Sequence, residues 1–546
     1  MSQKSSQTAQ VNRIANALKE AERKQDKSLQ IDLYKKLLKL TPDLPLAHAQ
    51  IARLLLESEE EEAALPHIEK ALLGPSNEQI DNLIFNESCK RKRFIENLAQ
   101  AEKWYQQSPN LYRFKLFYEA LIYAEKYEES EQLLLQILQT KLTTIQQSQI
   151  LSLLAQTYYN TGRFYDSIAC SQLGLEQNPG DKDLHFNLAV AYESVGRYEE
   201  SFRNYAVILE EDPNHIATHN NLAYVMLRLG QFEEGWRHYE WRWAKVLKDH
   251  EQHFNIPRWQ GEPLEGKTLL VWAEQGIGDH IMFASMLPDL QKLGGVIYFE
   301  IYERLDPLFK RSFPEINFIR REQAGTAQDG QQILHRQSWP YSNYHIPMGS
   351  LGRFFRPSLE SFPHRKNYLK ADHALTEQFR SDYKKLFPGK KLIGISWRGG
   401  ANVSNNKQSR QIPLQELQIL AKEHDLQLIN LQYGNTASER EEALAYGVKI
   451  YDDERVNPFK DIDTQAAQIA ALDAVISIDN TSVHLAGALG VPTYTLLQLS
   501  PNWRWGLKEG PSYWYPSVKT FRNRTLKTWI EVLERIVESL KEDRII

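Results

Sequence analysis

The sequence predicts an α-solenoid of paired helices followed by an α/β fold made of two Rossmann-like lobes. Three observations predict it. Glycines recur at a fixed interval through the middle of the chain, apolar runs alternate with amphipathic segments in the second half, and two of those runs pass into helices through turns rich in small residues. Alternation of that kind implies parallel sheets, which bind ligands at the carboxyl ends of their strands.

The repeat is carried by Gly162, Gly196 and Gly230, spaced 34 apart, with Pro179 and Pro213 at the same interval. That period is the signature of tetratricopeptide helix pairs. Leu154, Leu188 and Leu222 hold the register, as do Ala155, Ala189 and Ala223, then Phe164, Tyr198 and Phe232, and finally Tyr205 and Tyr239. Leu and the small Ala let one helix pack closely on the next, Gly ends the first helix of a pair at positive φ, and Pro stops the second. Upstream, the stretches at 46–75, 96–109 and 115–134 read as degenerate pairs, so about six or seven pairs are expected over residues 1–243. A superhelix of this type presents a concave face to another polypeptide. The acidic run Glu57 to Glu62 and the basic run Lys90 to Arg93 read as solvated helix faces or turns.

After Trp243 the period is lost. Residues 244–375 are expected to form the first lobe, with strands in the apolar run after Gly266-Lys267 and at 296–302, and residues 376–546 the second, with strands at 391–397, 426–434, 474–480 and 491–497. The stretch 323–364 reads as loops, and an amphipathic helix at about 526–542 is placed across the two lobes.

Composition narrows the function. The hydrophobic and charged fractions, 42% and 25%, are those of an ordinary folded protein. Lys and Arg number 65 against 70 Asp and Glu, and the basic residues are scattered, so a nucleic-acid partner has no electrostatic footprint. Two cysteines, Cys89 and Cys170, make neither a disulfide framework nor a four-ligand zinc site. With no apolar signal core and no long apolar span, the expected location is the cytoplasm. The 12 Trp and 26 Tyr hint at surfaces that stack on planar or sugar ligands.

Two constellations can carry chemistry. In the first lobe, Glu274-Gln275-Gly276-Ile277-Gly278-Asp279 lies where a strand turns into a helix; the glycines permit close backbone approach and Asp279 opens the helix. In the second, Asp479, Asn480, Thr481, Ser482 and His484 open a small-residue helix whose N–H groups and hydroxyls suit a pyrophosphate, and His484 stands one turn in as a further donor. Arg398 and Arg410 supply cations for a departing diphosphate, and Gln432, leaving the strand at 426–434, counts with the donor-side residues. Asp461-Ile462-Asp463 has the look of a metal-holding D-x-D, yet it precedes a helix and reads as a cap. Neither a G-x-S-x-G elbow nor a P-loop is present.

Taken in order behind helical repeats, EQGIGD, DTQAAQIAALD, SIDNTSVHLAGALGVP, NWRWG and YWYP resemble the bacterial tetratricopeptide-repeat glycosyltransferases related to the ADP-heptose:lipopolysaccharide heptosyltransferases, glycosyltransferase family 9. The plan is also similar to that of O-GlcNAc transferase. The resemblance, which runs from about 45 to 540, implies a GT-B fold with the nucleotide-sugar held mainly by the second lobe, no metal and no other cofactor. It implies Asp279 as general base, Arg410 in place of a phosphate-binding lysine, and Asp479, Asn480, Thr481 and His484 around the pyrophosphate. Departures are Asn480, where Asp-Thr is usual, and Asn502, where the repeat-fused relatives carry Asp. The implied activity is inverting transfer of a sugar to a protein Ser or Thr hydroxyl selected by the repeats. Flagellin is the specific acceptor suggested by analogy. An inactive repeat scaffold and a glycan-directed transferase are the alternatives.

Overall fold

The computed structural model describes residues 2–42, 44–58, 60–72, 80, 98–107, 109–245, 254–321, 325–326, 332–333, 339–399, 410–423, 425–525 and 528–546. The chain divides into two compact units, Met1–Thr161 and Gly162–Ile546. Cys89 and the basic run at 90–93 lie outside the described residues.

The first unit is helical, with described helices from Ser2–Arg23 to Thr144–Asn160. Caps set their starts: Asp26 accepts from the Leu29 N–H, and Thr143 and Gln146 form a reciprocal capping box. Glu57, at the head of the acidic run, is bound by Arg53 at 2.5 Å and Lys27 at 3.3 Å, which makes it part of a charged helix end.

The second unit begins with five repeat helices: α1 (Phe164–Gln177), α2 (Lys182–Ser194), α3 (Tyr198–Glu211), α4 (Ile216–Arg228) and α5 (Phe232–Tyr239). Gly196 and Gly230, both at φ 79°, end α2 and α4 in the left-handed conformation, and Gly162 at φ 75° does so for the helix before α1. The helices α1 and α3 stop two residues before Pro179 and Pro213, as the spacing predicts. The repeats do not end as a separate layer at 243. One apolar cluster runs from Ala223, Phe232, Trp236 and Tyr239 into the core of the lobes, and the Trp236 indole N–H donates to the Arg356 carbonyl at 2.7 Å.

In the first lobe, β1 (Thr268–Trp272), β2 (Val296–Ile301), β3 (Asn317–Arg320) and β4 (Tyr344–Pro347) form a parallel sheet in the order β3-β2-β1-β4, with α6 (Ile277–Ala284) following β1. The stretch read as loops over 323–364 therefore contains a strand. Tyr344-His345-Ile346-Pro347 pairs with β1 in the register Val271↔Ile346, although so short a run ending in Pro carries no alternation signal. The helix α7 (His373–Leu386) leads into the second lobe, where β5 (Lys391–Ser396), β6 (Leu426–Asn430), β7 (Ile450–Tyr451), β8 (Ala474–Ile478), β9 (Thr493–Leu497), β10 (Gly510–Pro511) and β11 (Val518–Arg522) assemble in the order β10-β11-β9-β8-β5-β6-β7. Only β10 is antiparallel among these pairings. Two helices matter for the site: α8 (Ile462–Ala470) precedes β8, and α9 (Thr481–Leu489) follows it.

The last helix, α10 (Ile530–Glu542), does not cross between the lobes. Its apolar face, Val532, Leu533, Ile536, Val537 and Leu540, joins Ile393, Ile395 and Tyr494 in a core belonging to the second lobe. Spacing of i, i+1, i+4, i+5 and i+8 gives one stripe, and that stripe is used up against its own sheet.

Candidate functional site

The first-lobe turn and the start of α9 meet because Gly278 has no side chain. A β-carbon there would lie 3.0 Å from the His484 ring and 3.7 Å from the Thr481 hydroxyl. The glycines of EQGIGD thus serve the crossing of α6 over α9, and that crossing brings Asp279 beside the second lobe.

Asp279, in the first turn of α6, accepts from Arg504 Nε at 2.9 Å and from its Nη2 on the same oxygen, Oδ1. The other oxygen, Oδ2, lies 4.0 Å from where a β-carbon on Gly276 would stand. Arg504 is held from three further sides. Asn502 Oδ1 accepts from Nη1 at 2.6 Å, Gln275 Oε1 accepts from Nη2 at 3.4 Å, and the guanidinium lies 4.7 Å from the Trp503 ring. Burial works against its charge, but Asp279, Tyr239 and Asp479 outweigh that and hold it above its ordinary range. The departure at Asn502 is accounted for here, since the amide oxygen takes the bond a carboxylate would take. Trp503 in turn sits 5.5 Å from Trp236 and 5.7 Å from Tyr239, ring centre to ring centre, and the Tyr239 hydroxyl accepts from Gln275 Nε2 at 2.6 Å. Repeat helices therefore buttress the pair from behind.

Asn480 caps α9. Its Oδ1 accepts from the Ser482 N–H at 2.9 Å, while its Nδ2 donates to Ser396 Oγ at 2.7 Å and to the Arg398 carbonyl at 3.2 Å. A carboxylate has no proton for those last two bonds, which explains asparagine at this position. The cap also consumes the Ser482 N–H, which removes it from the amides expected to meet a ligand. Gln432 Oε1 gathers the N–H groups of Trp397 and Arg398 at 3.1 and 2.9 Å, fixing the loop after β5.

A cavity of about 420 Å³ opens between the lobes, with Gly276, Ile277 and Arg304 on one side and Arg410, Tyr433, Phe459, Asn480, Thr481 and Ser482 on the other. Its size falls in the range of small-molecule sites, about 300–1,000 Å³. Arg410 reaches it by donating to the Asp479 carbonyl at 2.7 Å, and its guanidinium packs where Gly399 leaves room. Arg398 is turned elsewhere. It pairs with Glu439 at 2.9 Å and donates to the Tyr433 carbonyl at 3.4 Å, so it supports the wall instead of facing the cavity. Glu274 is likewise interior, bound by Arg242 at 2.7 and 2.9 Å and by the Gly349 N–H at 2.5 Å. Asp461 caps α8 through the N–H groups of Asp463 and Thr464, and Asp463 pairs with Arg311, as a cap reading requires.

His484 lies under the cavity floor. Its Nδ1 meets the Tyr515 hydroxyl at 2.8 Å and its ring stacks 5.2 Å from Trp505. Burial, helped by Arg504, pushes its pKa down to about 3, so at neutral pH it is an uncharged packing element and no cation. His280 is pushed down to about 4, chiefly by burial. Both values lie below the unfolded one, about 6.5, so the unfolded chain takes up protons first. Stability is accordingly full above that pH and falls as pH drops from about 6.5 towards 4. The expected result is a thermal midpoint that declines over this window. His484→Phe should flatten part of the decline.

Sequence reasoning missed Arg304, Tyr433, Phe459 and the partnering of Arg504. Arg504 stands in the quoted NWRWG, but nothing local marks a carboxylate 225 residues upstream as its partner.

No family model matches the chain. Protein FlbA of Caulobacter vibrioides is 33% identical over 315 residues, 56% of this chain and 51% of FlbA. The chain thus spans about half the length of the curated relative it matches. Among solved structures, it is similar to a glycosyl transferase family 9 protein from Veillonella parvula, at 12% identity over 51% of this chain and 90% of that one, with a TM-score of 0.35. It is also similar to E. coli ADP-heptose LPS heptosyltransferase II, at 15% identity over 51% and 99% of the two chains and a TM-score of 0.34. YrrB, a TPR protein with an unusual peptide-binding site, is similar at 18% identity over 35% of this chain and 97% of that one, with a TM-score of 0.25. Among the described residues no helix is long and apolar enough to cross a membrane.

Proposed function

We propose that the protein is a metal-independent, inverting glycosyltransferase that moves a sugar from a nucleotide-sugar to a protein Ser or Thr hydroxyl. The observation that carries this reading is the interlobe cavity, which sets Arg410 and the Thr481 end of α9 beside the turn that bears Asp279. Arg410 and the helix end would hold the diphosphate, the kind of preorganised charge stabilisation that usually contributes most to a rate. The acceptor oxygen attacks the anomeric carbon, its proton passes to Asp279, and the bond to the phosphate oxygen breaks so that the nucleotide diphosphate leaves with the electron pair. The Asp279 oxygen Oδ2, set towards the glycine turn, is the one suited to take the proton, because Oδ1 is engaged by Arg504. The acceptor is proposed to be a protein docked on the repeats, with flagellin as the specific candidate, and the place of action the cytoplasm.

The test is thermal unfolding with UDP, GDP, ADP or CMP, for the wild type and Arg410→Ala. A ligand at 100 times its dissociation constant stabilises by about 2.7 kcal/mol. One nucleotide should raise the wild-type midpoint, and Arg410→Ala should lose that rise. No shift with any of the four would move the reading to a repeat scaffold without a donor.

A further inference from the structure

Phe459 is 59% exposed, on the rim of a cavity lined by apolar side chains such as Ile277 and Ile462 as well as by Arg304, Arg410 and Gln465. Nothing in core packing asks for an aromatic ring there, yet the ring is firmly presented. The Asn457 side chain accepts from the Phe459 N–H at 3.1 Å, and the N–H groups of Lys460 and Asp461 close the turn on the Asn457 carbonyl at 3.0 and 2.9 Å. Its neighbour Tyr433, just past the carboxyl end of β6, meets it at 5.6 Å with the rings 74° apart. Two rings at right angles leave the face of one open beside the edge of the other, an arrangement that accepts a third flat ring. Arg304 reaches over from the first lobe and donates to the Pro458 carbonyl at 3.1 Å, so the turn is also pinned from across the cleft.

We infer that Tyr433 and Phe459 form the slot for the nucleobase of the donor, with Phe459 as the stacking platform and Arg304 as the positioning residue that holds its turn. This rests on the proposed donor site and deepens it. The cavity runs from Arg410 and Thr481 to Phe459, so a diphosphate at the helix end would leave the base lying towards the aromatic pair. Stacking a base on an aromatic side chain is worth about 1–3 kcal/mol, or roughly fivefold to more than a hundredfold in affinity.

Isothermal titration of the full chain with UDP, GDP, ADP, CDP and inorganic pyrophosphate, for wild type, Phe459→Ala and Phe459→Trp, tests it. The wild type should bind one nucleoside diphosphate at least about tenfold more tightly than pyrophosphate. Phe459→Ala should erase that margin and leave pyrophosphate affinity and the thermal midpoint unchanged, because the removed ring is exposed, and Phe459→Trp should restore it. A nucleotide affinity untouched by Phe459→Ala overturns the slot and leaves the donor site standing. A wild type that binds nucleotide no better than pyrophosphate overturns the slot alone, whereas binding of neither overturns the donor site and the slot together.

Discussion

Replacing Asp279 with Asn is expected to abolish most sugar transfer while leaving nucleotide binding intact. Loss of a general base commonly costs about 10²–10⁴-fold. The substitution is well chosen for this site because the asparagine oxygen can still accept from Arg504 Nε, the bond that is 2.9 Å long in the native protein. Geometry is therefore retained and basicity is lost. Arg504 is left buried with a weaker counter-charge, so some fall in the thermal midpoint is expected, and assays belong well below it. The measurement is turnover of donor with acceptor beside the nucleotide-induced thermal shift. Near-normal turnover would remove Asp279 from the mechanism, and loss of the shift would mean that the turn also shapes the donor pocket.

The largest stability effect is expected at Glu274. Both Arg242 and Glu274 are almost wholly buried, at 1% and 0% side-chain exposure, and the pair is completed by Ser350, Glu240 and the Gly349 N–H. Removing one partner of such a pair typically costs about 3–5 kcal/mol, because the survivor's charge stays buried without compensation. Glu274→Ala should lower the urea midpoint strongly at an unchanged slope. The double variant Arg242→Met with Glu274→Leu should recover much of that loss, since well-packed apolar replacements are often neutral. A mild effect of the single substitution would mean that water reaches the pair. The motif thus separates Glu274, a buried structural group, from Asp279, the proposed base.

That separation shows what the sequence could and could not reveal. The repeats were legible because glycine at positive φ is a strict local requirement, and Gly162, Gly196 and Gly230 meet it at φ 75°, 79° and 79°. Six strands, β1, β2, β5, β6, β8 and β9, were legible because parallel strands buried on both faces read as apolar runs, whereas β3, β7, β10 and β11 were not read. The strand β4 was hidden because four residues ending in proline carry no period, and only its pairing with β1 makes it one. Within the site, the helix tip at Asn480 and Thr481 and the cation at Arg410 were placed by local pattern. Arg398 was expected to face a diphosphate and is turned to Glu439 instead, because an ionised side chain looks the same in sequence whether it faces a cavity or a partner in the wall. Phe459 had no signal at all, because exposure is a property of the assembled turn.

The continuity between the last repeats and the lobes has a consequence for engineering. A chimera that exchanged the whole array at residue 243 for another solenoid would carry away Arg228, which donates to the Pro501 carbonyl at 2.8 Å, and Trp236 and Tyr239, which flank Trp503. It would also remove Arg242 from Glu274. Such a hybrid would lose the backing of the Asp279–Arg504 pair, and its inactivity would say nothing about what the new repeats bind. Exchanges of the array have to keep these four side chains native.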